Sequence, residues 1–137
     1  MISSLNLSDK LFLEQVQDCT LEPALFTHEA MLRLAWILIN KYGLDEAIII
    51  NNNIKEQYFI KALKSEKFNK TLTRAYAEII QHFMDKTPTN DFEKLLKEFP
   101  RLKYDFKALV KTHYGYNILK EHRREEPKRL TQILFTF

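Results

Sequence analysis

Glycine is nearly absent from this chain, with only Gly43 and Gly115 among 137 residues. Domains built from many short strands need frequent tight turns, so this scarcity, with only four prolines, directs the chain toward long helices. It also removes the glycine-rich loops that cradle phosphates and dinucleotides. The sequence has no P-loop and no GxGxxG turn. Cysteine is reduced to Cys19, which excludes an intrachain disulfide and any paired CxxC zinc site. HExxH and GxSxG are absent too, and with them the commonest metalloprotease and serine-hydrolase signatures. The amino end lacks a basic segment followed by an apolar one. The apolar run LAWILIN at 34–40 falls far short of the roughly 20 residues that span a bilayer. A cytoplasmic protein with no membrane partner is expected.

Apolar and aromatic residues are plentiful. Ten Phe, six Tyr and one Trp, with 45% hydrophobic and 28% charged residues, describe a globular chain that can bury a core. Its length suits one domain spanning 1–137. Charge is uneven: residues 1–50 carry three basic and seven acidic side chains, and residues 101–137 carry nine and four. The basic end mixes signs, as in HRREEPKR, and reads as a solvated face, with no motif that would make nucleic acid a partner.

The spacing of apolar residues predicts an all-α bundle of five to seven helices. SDKLFLEQVQDC forms the first, capped by Ser8, with Leu11, Phe12, Val16 and Cys19 on its apolar stripe. Thr27 caps a second helix that runs to Tyr42, where Gly43 stops it as a left-handed cap. His28, Met31, Leu32, Ala35, Trp36, Ile39 and Tyr42 share a broad face of that helix. Leu34 and Ile37 fill much of the other side, leaving Glu29, Arg33 and Asn40 as a narrow polar stripe. Residues 44–64 give a third helix with Asp45 as its cap and Ala47, Ile54, Tyr58 and Ala62 on one face. The β-branched and Asn-rich IIINNN run also admits a short strand there. A fourth helix starts near Asn69 or Lys70 and buries Leu72, Tyr76, Ile79, Ile80 and Phe83. A fifth begins at Asn90 with Glu93 at capping-box spacing and ends at Pro100. Shorter pieces follow in YDFKALVKTHY and NILKEHRREE.

His28 is the leading candidate for chemistry. In the first turn of a helix the positive end of the dipole disfavours an imidazolium, and a neutral imidazole can act as base or metal ligand. Met31 lies three residues on, and a His/Met pair suits copper(I) better than zinc. Two ligands do not make a site, and burial of both as plain core residues is the reading the spacing favours. His82 falls on a wet face beside Arg74 and Glu78, and His113 and His122 lie among charges. Cys19, without a basic neighbour in sequence, reads as an inert thiol. THYGYN at 112–117 either closes over a pocket or, the favoured reading, turns its tyrosines against the bundle.

FTHEAMLRLAW at 26–36, KFNKTLTRAY at 67–76 and the ending YGYNIL…REEPKRL together resemble a small bacterial all-helical family. Its members read F-T-H-x-x-H-L-R-L-A-W and then Y-H-E-T-x-T, and no activity is established for it. The resemblance spans residues 11–130, and the first motif is its most specific part. It implies that His28, Arg33, Trp36, Thr71 and Thr73 match family positions. In the relatives, two histidines on one helix with a His and a Glu from another could form a carboxylate–histidine metal site. Here Met31 replaces the second histidine, and Asn69 and Lys70 replace the His and Glu. Lys70 would repel a cation, so no metal and no cofactor is expected.

Three functions follow as expectations. The first is a small organic ligand held in an interhelical pocket by His28, Met31, Asn69, Thr71 and Thr73. The second is an enzyme that uses His28 as general base, with its other catalytic groups unidentified. The third is an interaction or scaffold domain, with a homodimer compatible. Protein purified without a histidine tag should carry no stoichiometric zinc, copper or iron by mass spectrometry. One bound metal per chain would reinstate the metal site.

Overall fold

The computed structural model describes residues 7–112. His113, His122, most of THYGYN, the helical piece expected at 117–126 and the tail motif lie outside the described residues. Among the described residues every regular element is a helix: α1 (Asp9–Gln17), α2 (His28–Tyr42), α3 (Leu44–Lys61), α4 (Lys70–Met84), α5 (Phe92–Glu98) and α6 (Arg101–Tyr104). A 3-10 turn at Pro23–Leu25 links α1 to α2, and residues 106–112 are again helical. The all-α expectation holds. No helix among them is long and apolar enough to cross a membrane. The chain divides into two compact units, with the boundary between Gln81 and His82 inside α4.

Local chemistry sets the helix starts. The Ser8 hydroxyl accepts the Leu11 N–H at 3.1 Å, the Thr27 hydroxyl the Ala30 N–H at 3.2 Å, and the Asn69 amide oxygen the Leu72 N–H at 2.8 Å. Each satisfies a first-turn donor that has no partner within its own helix. Two caps differ from the expectation. Asp91, not Asn90, caps α5 by accepting the Lys94 N–H at 3.1 Å. Asp45 lies inside the first turn of α3, where its charge complements the helix dipole, and Gly43 precedes that helix directly. Gly43 (φ 83, ψ 166) has the positive φ expected of it but an extended ψ, a region open essentially only to glycine. That conformation ends α2 and starts α3 at one residue.

The other helix ends manage without glycine. Cys19 adopts φ 59, with its N–H on the Val16 carbonyl and the Thr20 N–H on the Gln15 carbonyl, which is a Schellman closure of α1. Lys64 takes φ 50 just after α3. Left-handed conformations cost a non-glycine residue about 1–2 kcal/mol, so both turns are sustained by their surroundings.

In the first unit α2 is the centre. From Leu32 to Ile39 every residue is buried, and Leu32, Leu34, Ala35 and Leu38 have no exposed surface. Full burial of each leucine is worth about 2 kcal/mol. This burial takes in Arg33, which the periodicity had placed on a polar stripe; the side chain is only 5% exposed. Its Nε and Nη2 donate to Asp9 Oδ1 at 3.1 and 2.8 Å, Nη2 also donates to the Leu7 carbonyl at 2.6 Å, and the guanidinium lies 4.8 Å over the Phe12 ring. The arginine thus joins α1 to α2. On α1 Phe12, Leu13 and Val16 are buried, whereas Leu11, expected on the apolar stripe, is 42% exposed. α3 is one continuous helix through IIINNN, which removes the strand alternative. Its Tyr58 hydroxyl donates to the Leu21 carbonyl at 2.7 Å, and its ring packs 4.5 Å from Phe26.

In the second unit Phe83 stacks 4.9 Å from Phe99, Phe92 and Leu95 are buried on α5, and the Thr87 hydroxyl donates to Glu98 at 2.7 Å. Phe106, Leu109 and Val110 form a buried face in the last described helical stretch.

The Arg33 clamp is asymmetric, because its carboxylate is half exposed and its guanidinium is buried. Asp9→Ala leaves a buried cation short of its counter-charge and should cost about 2 kcal/mol. Arg33→Met leaves only a hydrated carboxylate and should cost less. Urea denaturation of the two variants checks the order, and a larger loss for Arg33→Met would refute it.

Candidate functional site

α2, α3 and α4 each bring one polar side chain to a common place inside the first unit. His28 opens α2, and its position is set by the Thr27 cap. Tyr76 lies on the inner face of α4, between Ala75 and Ala77, with no exposed surface. The Tyr76 hydroxyl and His28 Nδ1 are 2.6 Å apart, across 48 residues of sequence, and the rings tilt against each other at 5.4 Å. From α3, the Lys55 ammonium lies 4.7 Å over the centre of the Tyr76 ring. The imidazole and the phenol are hydrogen-bonded, and the ammonium meets the face of the phenol ring.

Lys55 is 3% exposed. Among the described residues no carboxylate pairs with it; the ring face is the group it meets. A cation over an aromatic face is attracted by the ring quadrupole, but this recovers only part of what water would give an ammonium. Burial accordingly lowers its pKa from 10.5 to about 7. Burial acts oppositely on the phenols, which would have to become anions: Tyr76 is raised well above its ordinary 10.0, and Tyr58 is pushed up to about 12. Tyr76 therefore keeps its O–H through the neutral range and can donate it to His28 Nδ1.

Asn51 sits one helical turn before Lys55 on the same face of α3. It is 1% exposed, and among the described residues neither its amide nitrogen nor its amide oxygen has a hydrogen-bond partner. The buried face of α3 runs Ala47, Asn51, Lys55 and Tyr58. Ile54, expected on this face, is half-buried, while two of the four buried residues are polar.

The five residues expected to hold a ligand fare differently. His28 is half-buried and forms part of the cluster. Met31 and Thr71 are half-buried. Asn69 and Thr73 are joined by the fold itself. The Asn69 side chain caps α4, and the buried Thr73 hydroxyl donates to the Asn69 carbonyl at 2.9 Å. Both are therefore explained as parts of a helix start. Among the described residues no three His, Cys, Asp or Glu side chains gather as a metal-binding group. His82 is exposed, and Cys19 is half-buried in its turn.

The KTLTRAY segment does meet the start of α2, but through Tyr76. The sequence pattern marks Tyr76 only as core and gives Lys55 and Asn51 no place in a site. The one signal in the sequence was the i, i+4 spacing of Asn51 and Lys55 in register with Ala47 and Tyr58. No family model, curated protein or solved structure matches the chain.

The shifted groups have a definite effect on stability. Between about pH 7 and 10 an unfolded lysine keeps its proton and the folded Lys55 does not. The unfolded chain then binds more protons, so stability rises with pH through this window. Below pH 7 the full cost of burying the ammonium is present. Above pH 10 the raised phenols reverse the slope, because folded Tyr58 and Tyr76 hold protons that the unfolded chain releases. Lys55→Met should therefore be more stable than the parent at pH 6 by roughly 2–4 kcal/mol, a difference that shrinks toward pH 10. Paired denaturation curves across this range check it; a difference independent of pH would refute it.

Proposed function

We propose that the first unit is a small-molecule-binding domain whose ligand sits where α2, α3 and α4 meet, on His28, Lys55 and Tyr76. One observation carries this reading: a buried ammonium, 4.7 Å over the ring of a tyrosine that is itself hydrogen-bonded to a histidine from a third helix. A fold that needs only stability gains nothing from the lysine, since an apolar side chain of similar volume avoids the desolvation cost. Convergent polar groups with shifted protonation, set among apolar helices, are the usual composition of a ligand site. The reading keeps His28 as anchor and replaces Asn69 and Thr73 by Lys55 and Tyr76 as the polar contacts.

A second reading, an enzyme, draws on the same lysine. An amine whose pKa is brought to about 7 is poised for general acid–base work at neutral pH, and the His28–Tyr76 pair lies beside it. In that case Lys55, rather than His28, is the base. The interaction reading has little behind it: Ile49 and Ile60 are exposed on α3, but isolated exposed apolar side chains are ordinary.

A fragment library screened by ligand-observed NMR against the parent protein tests the proposal. Hits should lose affinity at least tenfold in Tyr76→Phe and His28→Ala while circular dichroism remains helical. Hits that bind both variants as well as the parent, or an absence of hits, would refute the site.

A further inference from the structure

The buried face of α3 leaves two chemical demands that the described fold does not meet. The Lys55 ammonium has no counter-charge, and the Asn51 amide has neither an acceptor for its N–H nor a donor for its carbonyl. The two lie one turn apart on one face, 3% and 1% exposed. A buried polar group without a partner costs free energy, and a native structure that carries several at one place has a reason for it. The groups facing Lys55 sharpen what is missing. From α4 comes the Tyr76 ring, held as a phenol, and behind it from α2 comes His28. On its own helix the neighbour is Asn51. None of the three brings a full negative charge.

We infer that the ligand of this unit is a small organic acid, its carboxylate seated against the Lys55 ammonium and a second polar group bonded to the Asn51 amide. This rests on the ligand-binding reading above and names its chemical class. A carboxylate is the group a desolvated ammonium recognises most strongly, because charge-assisted hydrogen bonds are about twice as strong as neutral ones. In a water-poor interior the attraction is greater still. An amide that presents its NH2 donors and its carbonyl acceptor matches a hydroxyl, amino or carboxamide substituent on the same molecule. The Tyr76 ring would take the hydrocarbon part. Bringing in the anion would restore the proton to Lys55, so binding and protonation of this one lysine are coupled.

The test uses the full chain at pH 7.5 and three matched pairs of probes: lactate and lactamide, glutarate and glutaramide, benzoate and benzamide. Calorimetry gives affinities, and NMR of 13C-labelled lysine follows the protonation of Lys55. At least one acid should bind tenfold or more tighter than its amide. The same acid should raise the pH at which the Lys55 resonance titrates. Lys55→Met should abolish the preference for the acid, and Asn51→Leu should weaken lactate more than benzoate. Both variants remove an unpartnered polar group from the interior, so both should fold at least as well as the parent.

If acids and amides bind equally and the Lys55 resonance does not move, the organic-acid inference is overturned while the binding site stands. If no probe of either kind binds and the His28 and Tyr76 resonances stay still, the inference is overturned. An empty fragment screen beside that result would remove the binding reading as well. An acid preference that survives Lys55→Met would overturn the role given to the lysine.

Discussion

The burial of α2 is the constraint on which the first unit depends. Eight consecutive residues from Leu32 to Ile39 are out of water, so no side of the helix is left to solvent over more than two turns. Any polar group that this helix carries inside must find its partner on another element. Arg33 finds Asp9 and the Leu7 carbonyl, which fixes the start of α1 against it. His28 finds Tyr76, which ties α4 to the opening of α2. Two polar side chains of this helix thus specify which elements lie against it. Apolar contact is non-directional and could be satisfied in several registers; these hydrogen bonds restrict the choice.

α3 breaks this pattern. Its buried face includes Asn51 and Lys55, and the fold answers neither with a hydrogen bond among the described residues. The contrast with Arg33 is chemical. A guanidinium is weakly hydrated and presents a planar fork that one carboxylate and one carbonyl can satisfy, and it keeps its charge throughout. An ammonium is strongly hydrated, and when buried without an anion it gives up its proton near neutrality. The same unit therefore contains one buried cation built for structure and one left adjustable. An adjustable charge is an asset where something must be bound or a proton moved, and a cost anywhere else.

What could be read from the sequence follows the range of the interactions. Ser8, Thr27 and Asn69 act within three residues of themselves; the cap roles of Ser8 and Thr27 were legible, and at Asn69 the helix start was, though not the cap. The all-helical class followed from the same local patterns and from the lack of glycine. Errors of one residue, such as Asn90 for Asp91, arise because neighbouring polar residues compete for the same cap. The IIINNN segment was ambiguous because its propensities oppose its length, and packing decided it. Arg33 was misplaced and Lys55 overlooked for a common reason. Periodicity assigns charged residues to the wet face by default, and only a partner distant in sequence, whether a carboxylate 24 residues away or a ring 21 away, reverses that assignment. The positive φ at Cys19 and Lys64 was hidden similarly, since nothing in either residue type announces a left-handed turn.

The candidate site was half legible, for a related reason. His28 stood out because histidine is rare and its place at a helix start is a local fact. Its partner was not identifiable, because Tyr76 fits the apolar stripe of α4 and so looks like ordinary core. Yet a tyrosine that is wholly buried must place its hydroxyl on something. Tyr58, the other fully buried tyrosine among the described residues, uses a backbone carbonyl at Leu21, a partner that the chain supplies almost anywhere. Tyr76 uses a titratable side chain and lies under a second one. Equal burial has thus been solved once with a fixed acceptor and once with groups whose protonation can change. A buried phenol at the α2–α3–α4 junction did not by itself call for a histidine partner. A backbone carbonyl would have sufficed, and it would not have required a lysine to be buried beside it.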